Sequence, residues 1–199
     1  MNVALRAAFN RWRRRLLRQL LGRIVFGERS QGHDLPFTRI APTVVIEHES
    51  RLTLGDHVYI GPFCYLEASS GLTIGEGVQI TSHVSIVSHS SHRSARLLGR
   101  AFVSWQGPRP GWVGGEVVIG PYSFIGPHTV IEAGTRLGRG TLVRAGSAVR
   151  GSFPDFAVLA GCPAQVVGDT RDADAALLAR YPEVQAHRAQ WAGHDPDAR

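Results

Sequence analysis

The 199-residue chain predicts a parallel β-helix, because two series of residues keep the same six-residue spacing. Ile119, Ile125, Ile131, Leu137, Val143 and Val149 form an aliphatic series. Ser123, Thr129, Thr135, Thr141 and Ser147 form a small-residue series in the same register, and Gly120, Gly126 and Gly138 follow members of the first. A helix repeats near 3.6 residues and a half-buried strand at two, so neither produces both series together. A hexapeptide repeat of aliphatic, small and turn positions does. Each hexapeptide supplies one short strand and one turn, and three make a triangular coil. The aliphatic residue fills a prism corner. The small residue sits where the walls converge and a larger one would overpack.

The same register runs through the earlier half. Leu54-Gly55, Ile60-Gly61 and Leu66-Glu67 are three steps, with Val58, Cys64 and Ser70 as interior positions. After a two-residue slip the pattern resumes at Ile74-Gly75, Ile80-Thr81 and Ile86-Val87, with Val78 and Val84 inside. Coils of this kind stack, so stability is a sum over neighbouring coils. The repeat body is residues 40–168, flanked by segments 1–30 and 169–199 and interrupted at 87–117.

One main domain suits this length. No apolar run reaches membrane-spanning length, and arginines break the apolar segments near the N-terminus where a signal peptide would lie. Cys64 and Cys162 are far apart and Cys64 falls on an interior position, so a buried thiol and a cytoplasmic protein without disulfides are expected. All 22 basic residues are arginine, and the formal net charge is +6.

Residues 1–27 predict an amphipathic helix. Leu5, Phe9, Trp12, Leu16, Leu20 and Ile24 fall on one face, with Arg11, Arg14, Arg15 and Arg18 opposite. Such a helix either packs on the protein body or a second subunit, or attaches to an anionic membrane surface. Nucleic acid is not an expected partner, because the remaining chain carries no basic stripe or recognition motif.

Between Val87 and Glu116 the repeat stops. Segments this long without obvious secondary structure tend to be functional in compact domains. This one begins Ser88-His89-Ser90-Ser91-His92-Arg93 and continues through Arg96, Arg100 and Trp105 to Gly107-Pro108-Arg109-Pro110-Gly111-Trp112. Histidine is suited to proton transfer near neutral pH, so one of the two is expected to be catalytic. The arginines and tryptophans suit an anionic or sugar ligand.

Three stretches give the chain its resemblance to the left-handed β-helix hexapeptide acyltransferases. They are Ile80–His92, Val118–Ser147 and Ala160-Gly161-Cys162-Pro163-Ala164. The pattern is closest to sugar O-acetyltransferases, including the galactoside and maltose enzymes and those that decorate bacterial polysaccharides. The resemblance implies an all-β, left-handed parallel β-helix with an N-terminal amphipathic helix and short C-terminal helices. It also implies a homotrimer with sites between subunits, acetyl-CoA as co-substrate and a sugar or glycan acceptor. A loop histidine would act as general base for direct attack on the thioester, with no metal and no acyl-enzyme.

The resemblance also implies roles for particular residues. The family's base stands five residues after the equivalent of Ile86, where this chain has Ser91. A loop one residue longer makes His92 the first candidate and His89 the second. Glu67 occupies the place of a substrate-binding Asn; a carboxylate there orients the imidazole, binds the acceptor, or is a solvated corner residue. Gly126, Pro127, Ala145 and Ser147 fall on the pantetheine groove, and Gly161 and Pro163 belong to the closing segment beside the cofactor. Arg150 stands where the family has Thr-Lys, and its guanidinium suits the CoA phosphates. Arg144 replaces the usual Gly and is either a second phosphate contact or an exposed corner.

Competing readings are an N-acetyltransferase for amino sugars or an antibiotic-modifying enzyme, a γ-type carbonic anhydrase using His89, His92 and His128, and an inactive scaffold. After Val167, Asp172–Gln190 predicts one or two short helices split near Pro182, packed on the prism end or a neighbouring subunit, followed by a disordered tail from Gly193.

Overall fold

Successive hexapeptides land on three sheets in rotation. The computed structural model describes residues 3–193. The first wall stacks Arg39–Ile40, Tyr59–Ile60, Gln79–Ile80, Phe124–Ile125, Leu142–Val143 and Ala157–Gly161. The second stacks Val45–Glu47, Tyr65–Glu67, Ser85–Val87, Val130–Ile131 and Ala148–Val149. The third stacks Leu52–Leu54, Leu72–Ile74, Val117–Ile119, Arg136–Leu137 and Ser152–Phe153. Neighbours within each wall are parallel. The chain is therefore a three-walled parallel β-helix. At its top, Ala164–Asp169 folds back antiparallel on Ala157–Gly161 and caps the first wall.

Both residue series point inward. Ile60, Ile80, Ile125 and Val143 on the first wall, and Leu66, Ile86, Ile131 and Val149 on the second, have no exposed surface. Each packs on its equivalent one coil away. The small series is aliphatic or thiol in the lower coils (Val58, Cys64, Val78, Val84) and hydroxylated in the upper ones, all buried. The buried hydroxyls are satisfied by corner carbonyls: Thr135 Oγ1 donates to Glu132 O at 2.7 Å, Thr141 Oγ1 to Gly138 O at 2.7 Å and Ser147 Oγ to Arg144 O at 2.7 Å. Without those acceptors each would carry the desolvation cost of an unpaired polar group.

The corner between the first and second walls (61–64, 81–84, 126–129, 144–147) turns through left-handed backbone at Phe63, His83 and His128, with φ of 62°, 58° and 59°. Their rings form an external ladder, Phe63 on His83 at 5.1 Å and His83 on His128 at 4.9 Å.

The corner between the second and third walls departs from the hexapeptide. Leu66 and Ile74 are eight residues apart instead of six, and the same widening occurs one coil earlier between Ile46 and Leu54. The long excursion leaves from this corner in the next coil, after Val87, and returns at Val117. The widening changes one sequence expectation: Ala68, fully buried, takes the interior position expected for Ser70. Ser70 stands partly exposed, its backbone N–H donating to Ser88 Oγ at 2.8 Å.

The helices lie outside the prism. α1 runs from Val3 to Leu21 and stops before Gly22, a poor helix former, so Ile24 falls outside the helical face expected to include it. None of its residues is buried. α2 (His92–Leu98) lies within the excursion. α3 (Thr170–Arg180) and α4 (Gln185–Ala192) are separated by a short 3-10 turn at Pro182–Val184. Trp191 of α4 stacks on Tyr122 at 4.7 Å, holding the pair against the corner between the third and first walls and not the prism end. Among the described residues no helix is long and apolar enough to cross a membrane. The tail expected to be disordered lies, beyond Gly193, outside the described residues.

Candidate active site

The excursion is pinned where it leaves the wall. His89–Ser90 pairs antiparallel with Val113–Gly114, His89 opposite Gly114, so its two ends form a short ribbon over the widened corner. Gly115 N–H donates to Ser88 O at 2.9 Å and closes the base of that ribbon. Gly114 passes close to the corner, since a Cβ there would come 2.8 Å from Ser70 Oγ and would displace that hydroxyl.

Glu67 ends the second-wall strand beneath this ribbon and is 1% exposed. Ser69 N–H donates to its Oε1 at 2.7 Å. Ser88 donates to Oε2 through N–H at 3.1 Å and through Oγ at 3.0 Å. His89 Nδ1 lies 2.7 Å from the same Oε2. Burial alone would raise the carboxyl pKa. The bonds from Ser69, through side chain and backbone, and then from His89 and Ser88, outweigh it and hold the pKa at about 2. A buried carboxylate is tolerated because donors surround it.

This ionised acceptor fixes the imidazole. Nδ1 carries its hydrogen toward Glu67, leaving the Nε2 lone pair free to take a proton. Ser69 Oγ is also 2.8 Å from Nδ1. The indole of Trp112 stacks on the His89 ring at 4.3 Å and 7°. Arg109 lies over Phe102 at 4.6 Å and over Trp112 at 6.0 Å. The His89 side chain keeps 26% of its surface exposed. It is thus held from one side by a carboxylate and from one face by a ring, yet remains reachable.

His92 has a different setting. It is the first residue of α2 and is exposed, with Nδ1 2.7 Å from Ser90 Oγ and no carboxylate partner among the described residues. The sequence did not single out Ser69 and Ser88, which complete the carboxylate's shell. The slip after Leu66 was the available signal, since it widens the corner where all these residues meet.

The residues aligned with a cofactor groove lie on another corner. Gly126, Pro127, Arg144, Ala145 and Ser147 stack between the first and second walls, with Gly161 and Pro163 above them in the capping hairpin. Arg144 and Ala145 are exposed, while Ser147 is buried and bonded to Arg144 O. Arg150 belongs to the loop corner, exposed, 3.9 Å from Glu132. Gly126 lies flush against the next coil, where a Cβ would come 2.6 Å from Ala145 N. Gly126→Ala is expected to cost about 1–3 kcal/mol by overpacking, checked by chemical denaturation. An unchanged midpoint would mean that the stack yields freely here.

No family model matches the chain. A curated relative, the acyl-[acyl-carrier-protein]–UDP-N-acetylglucosamine O-acyltransferase of Mesorhizobium japonicum, is 42% identical over 50 residues, covering 25% of this chain and 16% of its own length. Among solved structures, a hexapeptide-repeat acetyltransferase from Vibrio cholerae in complex with acetyl coenzyme A superposes with a TM-score of 0.56 at 23% identity, over 66% of each chain. The fold is that of the hexapeptide-repeat acetyltransferases. A maltose O-acetyltransferase from Clostridium difficile 630 shares the hexapeptide-repeat fold at TM-score 0.55 and 21% identity, over 65% of each chain. So does AntD, an N-acyltransferase from Bacillus cereus solved with dTDP and 3-hydroxybutyryl-CoA, at 0.56 and 16%, over 75% of this chain and 88% of that one.

His128, suggested as a metal ligand with His89 and His92, stacks on His83 at the corner between the first and second walls, away from the loop corner. Among the described residues no three His, Cys, Asp or Glu side chains form a metal-holding group.

Proposed function

We propose that the chain is an acetyl-CoA-dependent O-acetyltransferase that acetylates a sugar hydroxyl of a glycan or glycoside on a left-handed hexapeptide coil. The observation that carries this reading is the buried Glu67–His89 pair under the pinned loop, on a fold shared with acetyltransferases. His89 Nε2 takes the acceptor hydroxyl proton as the oxygen attacks the thioester carbonyl. Collapse of the tetrahedral intermediate breaks the carbon–sulfur bond, and the proton passes to the CoA thiolate. Glu67 stays ionised throughout and stabilises the imidazolium. The first candidate from the sequence, His92, has no such support, so the base is assigned to His89.

The residues present suit the co-substrate. Pro127 and Ala145 offer a low ridge for pantetheine. The guanidiniums of Arg144 and Arg150 are exposed and suit phosphates. The base and the groove residues occupy different corners of one prism, which supports a homotrimer in which one subunit's loop corner faces its neighbour's groove corner.

Calorimetric titration with acetyl-CoA, without acceptor, tests the reading. Micromolar binding, about one site per subunit and weakened by Arg150→Ala, is expected. No binding by folded protein would overturn it. Thiol release against sugar and amino-sugar acceptors then separates O- from N-transfer.

A further inference from the structure

Among the described residues the apolar stripe of α1 lies open. Phe9 is 51% exposed, Trp12 58% and Leu20 66%, and Leu5 and Leu16 on the same face are also open. The apolar run continues past the helix into exposed Val25 and Phe26. At helical spacing Leu5, Phe9, Trp12, Leu16 and Leu20 lie along one stripe, with Arg11, Arg14, Arg15 and Arg18 opposite. The rings of Phe9 and Trp12 sit side by side at 5.8 Å.

The charge distribution selects the occupant. Seven of the 22 basic residues, and none of the 16 acidic ones, lie in residues 1–27. The rest of the chain holds 15 arginines against 16 acids, so this segment carries +7 and the remainder −1 of the formal charge of +6. The remainder of the chain carries no net negative charge of matching size. Two copies of α1 paired through the stripe would bring together Arg6 and Arg13, which flank it at helical spacing, with no acid on the helix to relieve them. An anionic lipid surface satisfies both sides of the helix at once: headgroups take the arginines, and the interface takes the aromatic and aliphatic stripe.

We propose that α1 is a surface anchor that lies in the plane of an anionic membrane and holds the prism beside it. Six arginines within 19 residues exclude a spanning role for it. The proposal is independent of the reaction the prism performs.

Flotation of the full-length protein with vesicles of phosphatidylglycerol and phosphatidylcholine, against vesicles of phosphatidylcholine alone, tests it. Binding is expected only to the anionic vesicles and is expected to fall as salt rises. Replacing Arg11, Arg14, Arg15 and Arg18 by Gln should weaken it about fivefold per residue. Phe9→Asp with Leu16→Asp should release the protein although most of the positive charge remains. Circular dichroism of each variant checks that the prism is intact. Failure of the folded full-length chain to bind, or binding indifferent to the apolar substitutions, would overturn the proposal. A change of oligomeric mass on deleting residues 1–27, with the full chain ignoring vesicles, would assign the helix to a subunit contact instead.

Discussion

Replacing His89 by Ala or Gln is expected to lower kcat/KM by about 10²–10⁴-fold, the usual contribution of a positioned general base. Binding of acetyl-CoA should stay within error, because the imidazole acts on the acceptor and not on the cofactor. Gln keeps an amide donor for Glu67, so it guards against the objection that Ala leaves a buried carboxylate short of a partner. His92→Ala should leave kcat close to that of the unaltered protein, since His92 lies exposed at the start of α2 and bonds to Ser90 Oγ. Steady-state assays by thiol release, with calorimetry for cofactor affinity, make the comparison. A large loss on replacing His92, with His89 variants active, would remove the Glu67–His89 assignment.

Glu67→Gln is expected to have two effects that share one cause. The folded carboxyl titrates at about 2 against an ordinary value of 4.5. A depressed carboxylate stabilises the fold while it is ionised. Its contribution, about 3 kcal/mol from the shift, is complete above pH ~4.5 and is lost as pH falls toward 2. The Gln variant should therefore be less stable by a comparable amount at neutral pH and should lose less on acidification through that window. Urea denaturation of both proteins at pH 7, 4.5 and 3 gives the comparison, and parallel pH dependences would refute the account. The same variant should lower kcat by at least ~10²-fold, because the amide no longer fixes the imidazole with its lone pair on Nε2.

The walls were legible in the sequence because each side chain in them answers to a local rule. Ile125 must be aliphatic and Thr129 small wherever three walls converge, and the two rules repeat often enough to fix the register. Cys64 followed the same rule and is buried, 2% exposed. Ser70 did not, because two extra residues at its corner shift the interior position to Ala68, and a slip of that kind has no period. The site was legible as a region, with Glu67 among its expected members as a carboxylate that orients an imidazole, but the histidine it meets was not. The interruption of the repeat drew attention to both histidines. The choice between them depends on a carboxylate 22 positions before His89 in the chain, brought within 2.7 Å by the stacking of one coil on the next. The exposure of α1 was not legible either: its pattern fits a face packed on the prism and an open one equally well, and its stripe lies open among the described residues.

The widened corner also makes this architecture open to change. Three consecutive coils swell at the same edge, two by a couple of residues and the third by a whole excursion, while the strands on either side keep their register. The excursion enters and leaves through a ribbon two residues wide. Its contents are thus insulated from the scaffold: segments between Ser91 and Trp112 can be exchanged as a cassette while the walls and the carboxylate beneath stay in place. Whatever chemistry the excursion presents over the Glu67–His89 pair is therefore a property that grafting can rewrite while the three walls keep their register.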